Sequence, residues 1–436
     1  MSAPPPPPST TMRVAVVGAG AAGTAAARRL ATLGAHVTLF DQAEGGPGGR
    51  ASARPVSRTI PGRADHGAQF LRDDGACADL TALLTSLATS GHAAPWVGGR
   101  FGRVTVGQGG AAGGFSPGGG GASTTAPSFF GLVAPTPATL WVGTPHADEL
   151  AIGLATHPRI SPRWGARVSG VEARPDGRWG VTVAGEEKGE GGSAGGGAAA
   201  APPSSFFDGV ILADASVGRP SAPGRVAVSG GTPAASAAAG LLARVGAASA
   251  RTPLFSVCAL LPAPGARAPF DAADVEGSAS VAVLVRDSAK PGRRPAAGGG
   301  EEAEAWVAVS SEAAAIRLLA SAPLAGGRPP PDALAAAAEQ LWAAAEEALV
   351  AAAGPGAPRP PPPLALRAQR WGAGLETGVW AGEGAPPSPR HFPRCATDPG
   401  APGLAVCGDL FHAGDGAGLA AAVRSGVAAA DAVGRR

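Results

Sequence analysis

The chain has no Tyr and no Asn, and its only lysines are Lys188 and Lys290. Without Asn there is no acceptor for N-glycosylation. Its four cysteines, Cys77, Cys258, Cys395 and Cys407, never fall at C-x-x-C spacing, which argues against a disulfide framework, a zinc site or a redox dithiol. The seven His form no H-x-x-x-H or Cys/His cluster, so no metal is expected. Charge is scarce as well: 16% of residues and a net +2 exclude a charge-solvated disordered polymer and provide no field for nucleic acid. No uninterrupted apolar run approaches the roughly 18 residues of a transmembrane helix. The opening MSAPPPPPSTT lacks the basic and apolar regions of a signal peptide. It reads as a disordered Pro-rich tail over residues 1–11 of a cytoplasmic protein whose partners are neither nucleic acid nor membrane.

What the chain holds in excess is Gly and Pro, 68 and 44 of 436 residues, a level that raises the question of disorder in a chain without a G-x-y period. Against this, 45% of residues are hydrophobic, enough for a core, and the length suggests about two to three structural units. The excess is also local. It concentrates at Gly107–Ser128, Glu186–Ser205, Lys290–Glu302, Pro323–Asp332 and Gly354–Pro363, which read as mobile insertions or loops.

Between these tracts the periodicity predicts strands at Arg13–Val17, His36–Phe40, Ala166–Glu172, Trp179–Val183, Gly209–Ala213, Phe255–Leu261, Val281–Val285 and Ala305–Val309. Helices are expected at Ala21–Leu33, Ala76–Thr89, Asp332–Ala353 and Gly416–Val433. The start is therefore strand, helix, strand within 30 residues.

Gly18-Ala19-Gly20-Ala21-Ala22-Gly23 joins the first strand to the helix. Gly18 permits the tight turn, Gly20 lets backbone approach a pyrophosphate, and Gly23 allows close helix packing. The helix N-terminus then faces the phosphates. Asp41 ends the second strand, placed to take both hydroxyls of an adenosine ribose. This fingerprint leaves NAD and FAD open. Next comes Gly45-Gly-Pro-Gly-Gly49-Arg50, a guanidinium on a glycine turn suited to clamping a diphosphate; standing alone, it would read as a solvated loop. A G-x-S-x-G at Gly114–Gly118 has no strand before it or helix after it, and a serine hydrolase is not supported.

Further motifs run in order: D-x-G-A-Q-F at Asp65–Phe70, W-V-G-x-P at Trp141–Pro145, F-D-G-V-I-L-A at Phe207–Ala213, S-x-K-P-G-R at Ser288–Arg293 and Q-R-W at Gln369–Trp371. The C-terminal end carries Gly408-Asp409 and the helix segment with Ala422, Ser425 and Gly426. With the dinucleotide fingerprint and Gly48–Arg50, this series resembles the FAD-dependent amine-oxidase superfamily, and most closely its renalase-like group, along nearly the whole chain.

The resemblance implies an α/β fold: a discontinuous Rossmann-like FAD-binding domain (12–75, 148–216 and 395–436) and an α+β substrate or cap domain (76–147 and 217–394). It implies that Gly18–Gly23, Asp41, Gln42, Gly49 and Arg50 hold the ADP half, with Val168 meeting adenine through its backbone. Gly67, Ala68 and Gln69 would pass near the isoalloxazine. Gly408 and Asp409 would bind ribityl or pyrophosphate, and the helix from Gly416, with Gly418, Leu419 and Ala422, would point at the flavin N1/O2 edge. Where the family has P-G-M, this chain has Pro145-His146-Ala147.

Candidate aromatic walls are Phe70, Trp96, Trp141 and Trp371, each also suited to ordinary core; His412 could reach the flavin edge or equally be a plain loop His approaching the helix. For the lysine that some amine oxidases bond through water to the flavin, the resemblance leaves two candidates. Lys188 falls in a Gly-rich insertion; Lys290 is the better one, yet its S-x-K-P-G-R context also suits a plain basic turn, the favoured reading. No catalytic side chain is assigned. The expected activity is oxidation of an amine or dihydronicotinamide-type small-molecule donor, with hydride passing to FAD and electrons to dioxygen, giving hydrogen peroxide. An NAD-dependent dehydrogenase and a non-catalytic flavin-binding protein are the alternatives.

Overall fold

A computed structural model describes residues 11–107, 113–118, 132–133, 137–185, 206–213, 226–293, 296–298, 301–322, 324, 328–380, 382, 394–412 and 418–435. The tail before residue 11, the tract Glu186–Ser205 with Lys188, and Gly416 lie outside the described residues.

Six strands form the sheet that carries the N-terminal motif. Their order is Ile160–Arg163, His36–Phe40, Arg13–Val17, Gly209–Leu212, Leu404–Val406 and Ala396–Thr397; the first five run parallel and the last is antiparallel. Val14, Ala15 and Val16 are fully buried, as are Val210, Ile211 and Leu212, the continuous apolar run expected of central parallel strands covered on both faces. The first helix, Ala21–Thr32, starts at Gly20 and ends against Gly34 at φ +98°, a left-handed stop. It packs on the C-terminal helix Leu419–Gly434. A Cβ at Gly426 would fall 2.0 Å from the Ala22 carbonyl oxygen, so the small residues of both helices let their backbones touch. Arg29 and Asp431 close the same pair at 2.6 Å.

A second sheet, ordered Phe206–Phe207, Trp179–Val183, Val168–Ala173 and Ala227–Ser229, leans on helix Pro233–Ala248, which Thr232 caps through the Ala235 N–H. Both elements share one apolar cluster with Val17, Phe40 and Leu212 of the six-stranded sheet.

The third layer is an eight-stranded sheet ordered Ala365–Glu376, Arg251–Pro262, Glu301–Ser310, Val281–Arg286, Ala272–Glu276, Phe101–Thr105 and Gly114–Pro117, with Ala296–Gly298 beside Glu301–Ser310. Helix Pro331–Ala353 covers it, burying Leu341, Trp342, Ala345 and Leu349 against Phe270 and Trp306. A small sheet of Leu71–Asp73, Thr139–Gly143 and Ala93–Pro95 completes the described strands with the hairpin Ala53–Pro55 and Arg63–Asp65. Among the described residues no helix is long and apolar enough to cross a membrane.

Two of the Gly- and Pro-rich tracts contain described strands. Gly114–Pro117 pairs with Phe101–Thr105, and Phe115 stacks on buried Phe270 with ring centroids 5.5 Å apart. One aromatic in a run of glycines supplies the anchor that composition conceals. Lys290–Glu302 opens on a buried lysine and includes the strand Ala296–Gly298.

Candidate functional site

At the carboxyl ends of the parallel strands lies a cavity of about 700 Å³, the place where open α/β sheets take ligands. Two glycine turns form its floor. Gly18 sits at φ +99°, and the Gly48 N–H donates to the Ala19 carbonyl at 2.9 Å, laying the second turn against the first. At Gly23 a Cβ would meet the Gly18 oxygen at 1.8 Å, whereas at Gly20 it would meet nothing within 4 Å. Gly23 is thus needed for packing, and Gly20 leaves open space for a ligand.

Asp41 closes the same floor. Its carboxylate accepts the Ala19 N–H at 2.6 Å and the Ala43 N–H at 2.8 Å, so it shapes the glycine turn as well as facing the cavity. Opposite, Gly408 has nothing within 4 Å of its Cβ position, and its N–H donates to Ser425 Oγ at 3.0 Å. That bond ties the Gly408-Asp409 turn to the C-terminal helix, whose first turn, from Leu419, also lines the cavity. The helix begins at Leu419.

Of the residues singled out from the sequence, Gly18, Gly20, Ala21, Ala22, Asp41, Gln42, Gly49, Arg50, Gly67, Ala68, Gln69, Gly408, Asp409, Gly418, Leu419 and Ala422 all line this one cavity. Ala19 and Gly23 lie behind it, as their bonding and packing require. Val168 is buried in its strand, paired with Val183, and is not among the lining residues. Phe70, Trp371 and His412 line the cavity; Trp96 and Trp141 do not.

A buried ionic chain crosses the site. Arg50 donates to Asp409 at 2.5 Å; Arg251 reaches the other Asp409 oxygen at 3.5 Å and holds Glu376 at 2.9 Å. Burial alone would raise the Asp409 pKa, but Arg50 and Arg251 outweigh it and hold it at about 2. Burial likewise opposes the Arg50 cation, and Asp409 and Glu376 reverse that effect. Arg251 and Glu376 come from the ends of two strands of the eight-stranded sheet and carry no local motif, so sequence spacing could not reveal them.

The wall beyond Gly67 is aromatic. His66 stacks on Trp371 with ring centroids 4.8 Å apart, and Trp371 Nε1 donates to the His66 carbonyl at 2.8 Å. Burial, aided by Arg54, Arg367 and Arg63, pushes the His66 pKa down to about 3. A Cβ at Gly67 would strike the Arg50 carbonyl at 1.8 Å, so the two motifs meet through backbone.

Residues 16–86 match the NAD(P)-binding Rossmann-like domain family. Among solved structures, a wild-type putrescine oxidase bound to putrescine aligns over 98% of this chain and 100% of its own, at 16% identity and a TM-score of 0.58. Cyclohexylamine oxidase from Brevibacterium oxydans IH-35A aligns over 98% and 99%, at 14% identity and a TM-score of 0.59. The chain has the amine-oxidase fold. No curated protein sequence matches it.

Within this amine-oxidase fold, Lys290 departs from the expected basic turn. Its side chain is fully buried, and its ammonium donates to Asp65 at 2.8 Å, Gln69 at 2.9 Å and Asp287 at 2.7 Å. The carboxylate of Asp287, three residues back, and that of Asp65, 225 positions away, together draw the lysine inward. Asp65, His146 and Asp287 bring ligand atoms within 4.8 Å of one another, but Lys290 and Arg293 already pair with both carboxylates. The cluster is an ion-pair network.

Proposed function

We propose that the chain is an FAD-dependent oxidoreductase, an oxidase for an amine or dihydronicotinamide-type donor with dioxygen as acceptor. The observation that carries this reading is the meeting, in one cavity, of the N-terminal glycine turns, the Gly67–Gln69 turn and the C-terminal Gly408-Asp409 turn. The fit to a flavin dinucleotide rests on the open space at Gly20 and Gly408, which side chains would fill, and on two helix N-termini facing one volume.

Gly18–Ala22 and Arg50 would hold the pyrophosphate, Asp41 the adenosine ribose, and Asp409 the ribityl chain or pyrophosphate. Val168 would serve the adenine end through its strand. When bound, FAD supplies the hydride acceptor and the route of electrons to dioxygen. The chain's own contribution is orientation and exclusion of water: Phe70, Leu254 and Trp371 line the wall beyond Gly67, where a low-polarity surface favours a flat donor. The division into cofactor domain (12–75, 148–216, 395–436) and cap (76–147, 217–394) belongs to this reading. Residues Ala227–Ala248 join the cofactor side, whose apolar cluster they share.

The test is anaerobic mixing of FAD-loaded protein with a panel of primary amines, cyclic amines and dihydronicotinamides. Bleaching of the flavin by at least one, with hydrogen peroxide appearing on admission of air, supports the reading. A flavin that none of them reduces contradicts it.

A further inference from the structure

Three motifs that share no local periodicity, D-x-G-A-Q-F, W-V-G-x-P and S-x-K-P-G-R, meet in one buried cluster. Lys290 spends its three N–H donors on Asp65, Gln69 and Asp287. Arg293 pairs with both carboxylates and donates to the carbonyls of Gly143 and Pro145. The remaining Asp65 oxygen accepts the Ala147 N–H at 2.9 Å. Two cations and two anions therefore balance, and they staple the cap strand ending at Arg286, the loop after Gly143 and the turn beginning at Asp65.

Gln69 is the only member of this cluster that also lines the cavity. Its amide nitrogen donates to the Asp65 carbonyl at 2.7 Å and the Gly67 carbonyl at 2.9 Å, and its oxygen accepts from Lys290. Both ends of the amide are committed, so the side chain fixes its own backbone turn and Lys290 fixes the side chain. With every donor used inside the protein, Lys290 has none to offer a molecule in the cavity.

We propose that Lys290 is a positioning residue: acting through Gln69, it sets the backbone of Gly67 and Ala68 where that turn faces the cofactor. Only the identity of what the turn faces rests on the flavin reading. A buried ammonium removed alone leaves uncompensated carboxylates, so Lys290→Met by itself would confuse positioning with folding. Lys290→Met combined with Asp287→Asn restores charge balance while leaving the link to Gln69 cut.

The experiment compares wild type, Lys290→Met, and the double variant by thermal unfolding of the apoprotein, hydrogen exchange of residues 66–70, and FAD titration. The single variant is expected to melt lower and the double variant to recover. In the recovered double variant the 66–70 amides should still exchange about tenfold faster, and FAD should bind about tenfold more weakly, the scale of one charge-assisted hydrogen bond. Wild-type protection of 66–70 in the double variant would overturn the proposal. Should the double variant not fold, Gln69→Leu cuts the same link with the ion pairs intact, and the same exchange outcomes decide. If wild-type protein takes up no FAD, the flavin reading fails while the exchange result still judges Lys290.

Discussion

Arg50 donates to Asp409 at 2.5 Å although 359 positions of chain separate them. This contact joins the second glycine turn to the C-terminal turn, and Arg251 carries it on to Glu376 at the edge of the eight-stranded sheet. The glycine-turn floor of the cavity and the eight-stranded sheet are thus coupled by charge.

Loss of that guanidinium should appear in cofactor affinity. Arg50→Met removes a charge-assisted hydrogen bond of about 1.5–3 kcal/mol, so FAD should bind about 10- to 100-fold more weakly in a fluorescence titration. An unchanged affinity would remove Arg50 from the binding set.

Gly20 and Gly23 should separate when substituted. Gly23→Ala places a Cβ 1.8 Å from the Gly18 oxygen and should lower apoprotein stability by several kcal/mol, in the range of overpacked or strained cores. Gly20→Val meets open space, so the apoprotein should melt near wild type while FAD uptake is lost. Melting curves with and without FAD distinguish the two.

The pH dependence follows from His66 and Asp409. The native pKa of His66, about 3, lies below its unfolded value near 6.5. Between these values the unfolded chain binds a proton that the native chain does not, so stability rises with pH by about 1.4 kcal/mol per unit from this group. His66→Phe, which keeps a ring on Trp371, should flatten the slope of unfolding free energy between pH 4 and 6 by about that amount. Asp409 is depressed to about 2; its contribution is fully present above its ordinary value of about 3.9 and is lost progressively as pH falls from there through about 2, so it adds no slope to the unfolding free energy at about pH 5 and above.

Deleting 113–118 should destabilise the eight-stranded sheet, because Gly114–Pro117 is a paired edge strand and Phe115 packs on Phe270. Phe115 is partly buried, so its ring should contribute less than the about 3–5 kcal/mol of a fully buried aromatic. Denaturant unfolding of the deletion variant, compared with Phe115→Ala, measures how much of the loss is this ring.

The strand, helix, strand start was legible because it is local: an apolar run, a glycine turn and a small-residue helix announce themselves within 30 residues. The strand Ala365–Glu376 was hidden, since Arg367, Gln369, Arg370 and two glycines interrupt any apolar alternation along a sheet edge. In the site, the glycines and Asp41 could be read from spacing. Arg251, Glu376 and the true setting of Lys290 could not, because each depends on an ion pair across more than 100 residues of chain, to Asp409, Arg251 or Asp65. Composition misled at Phe115 and Lys290, where one side chain anchors described residues within a tract rich in Gly and Pro.

Flavin uptake is the most direct measure of whether the cavity holds FAD. Purified protein, stripped and reconstituted, should bind FAD at one per chain with a visible flavin spectrum and melt on the order of a few degrees higher with FAD in excess. Colourless protein whose melting temperature FAD does not move, and whose Gly20→Val variant behaves identically, would contradict it.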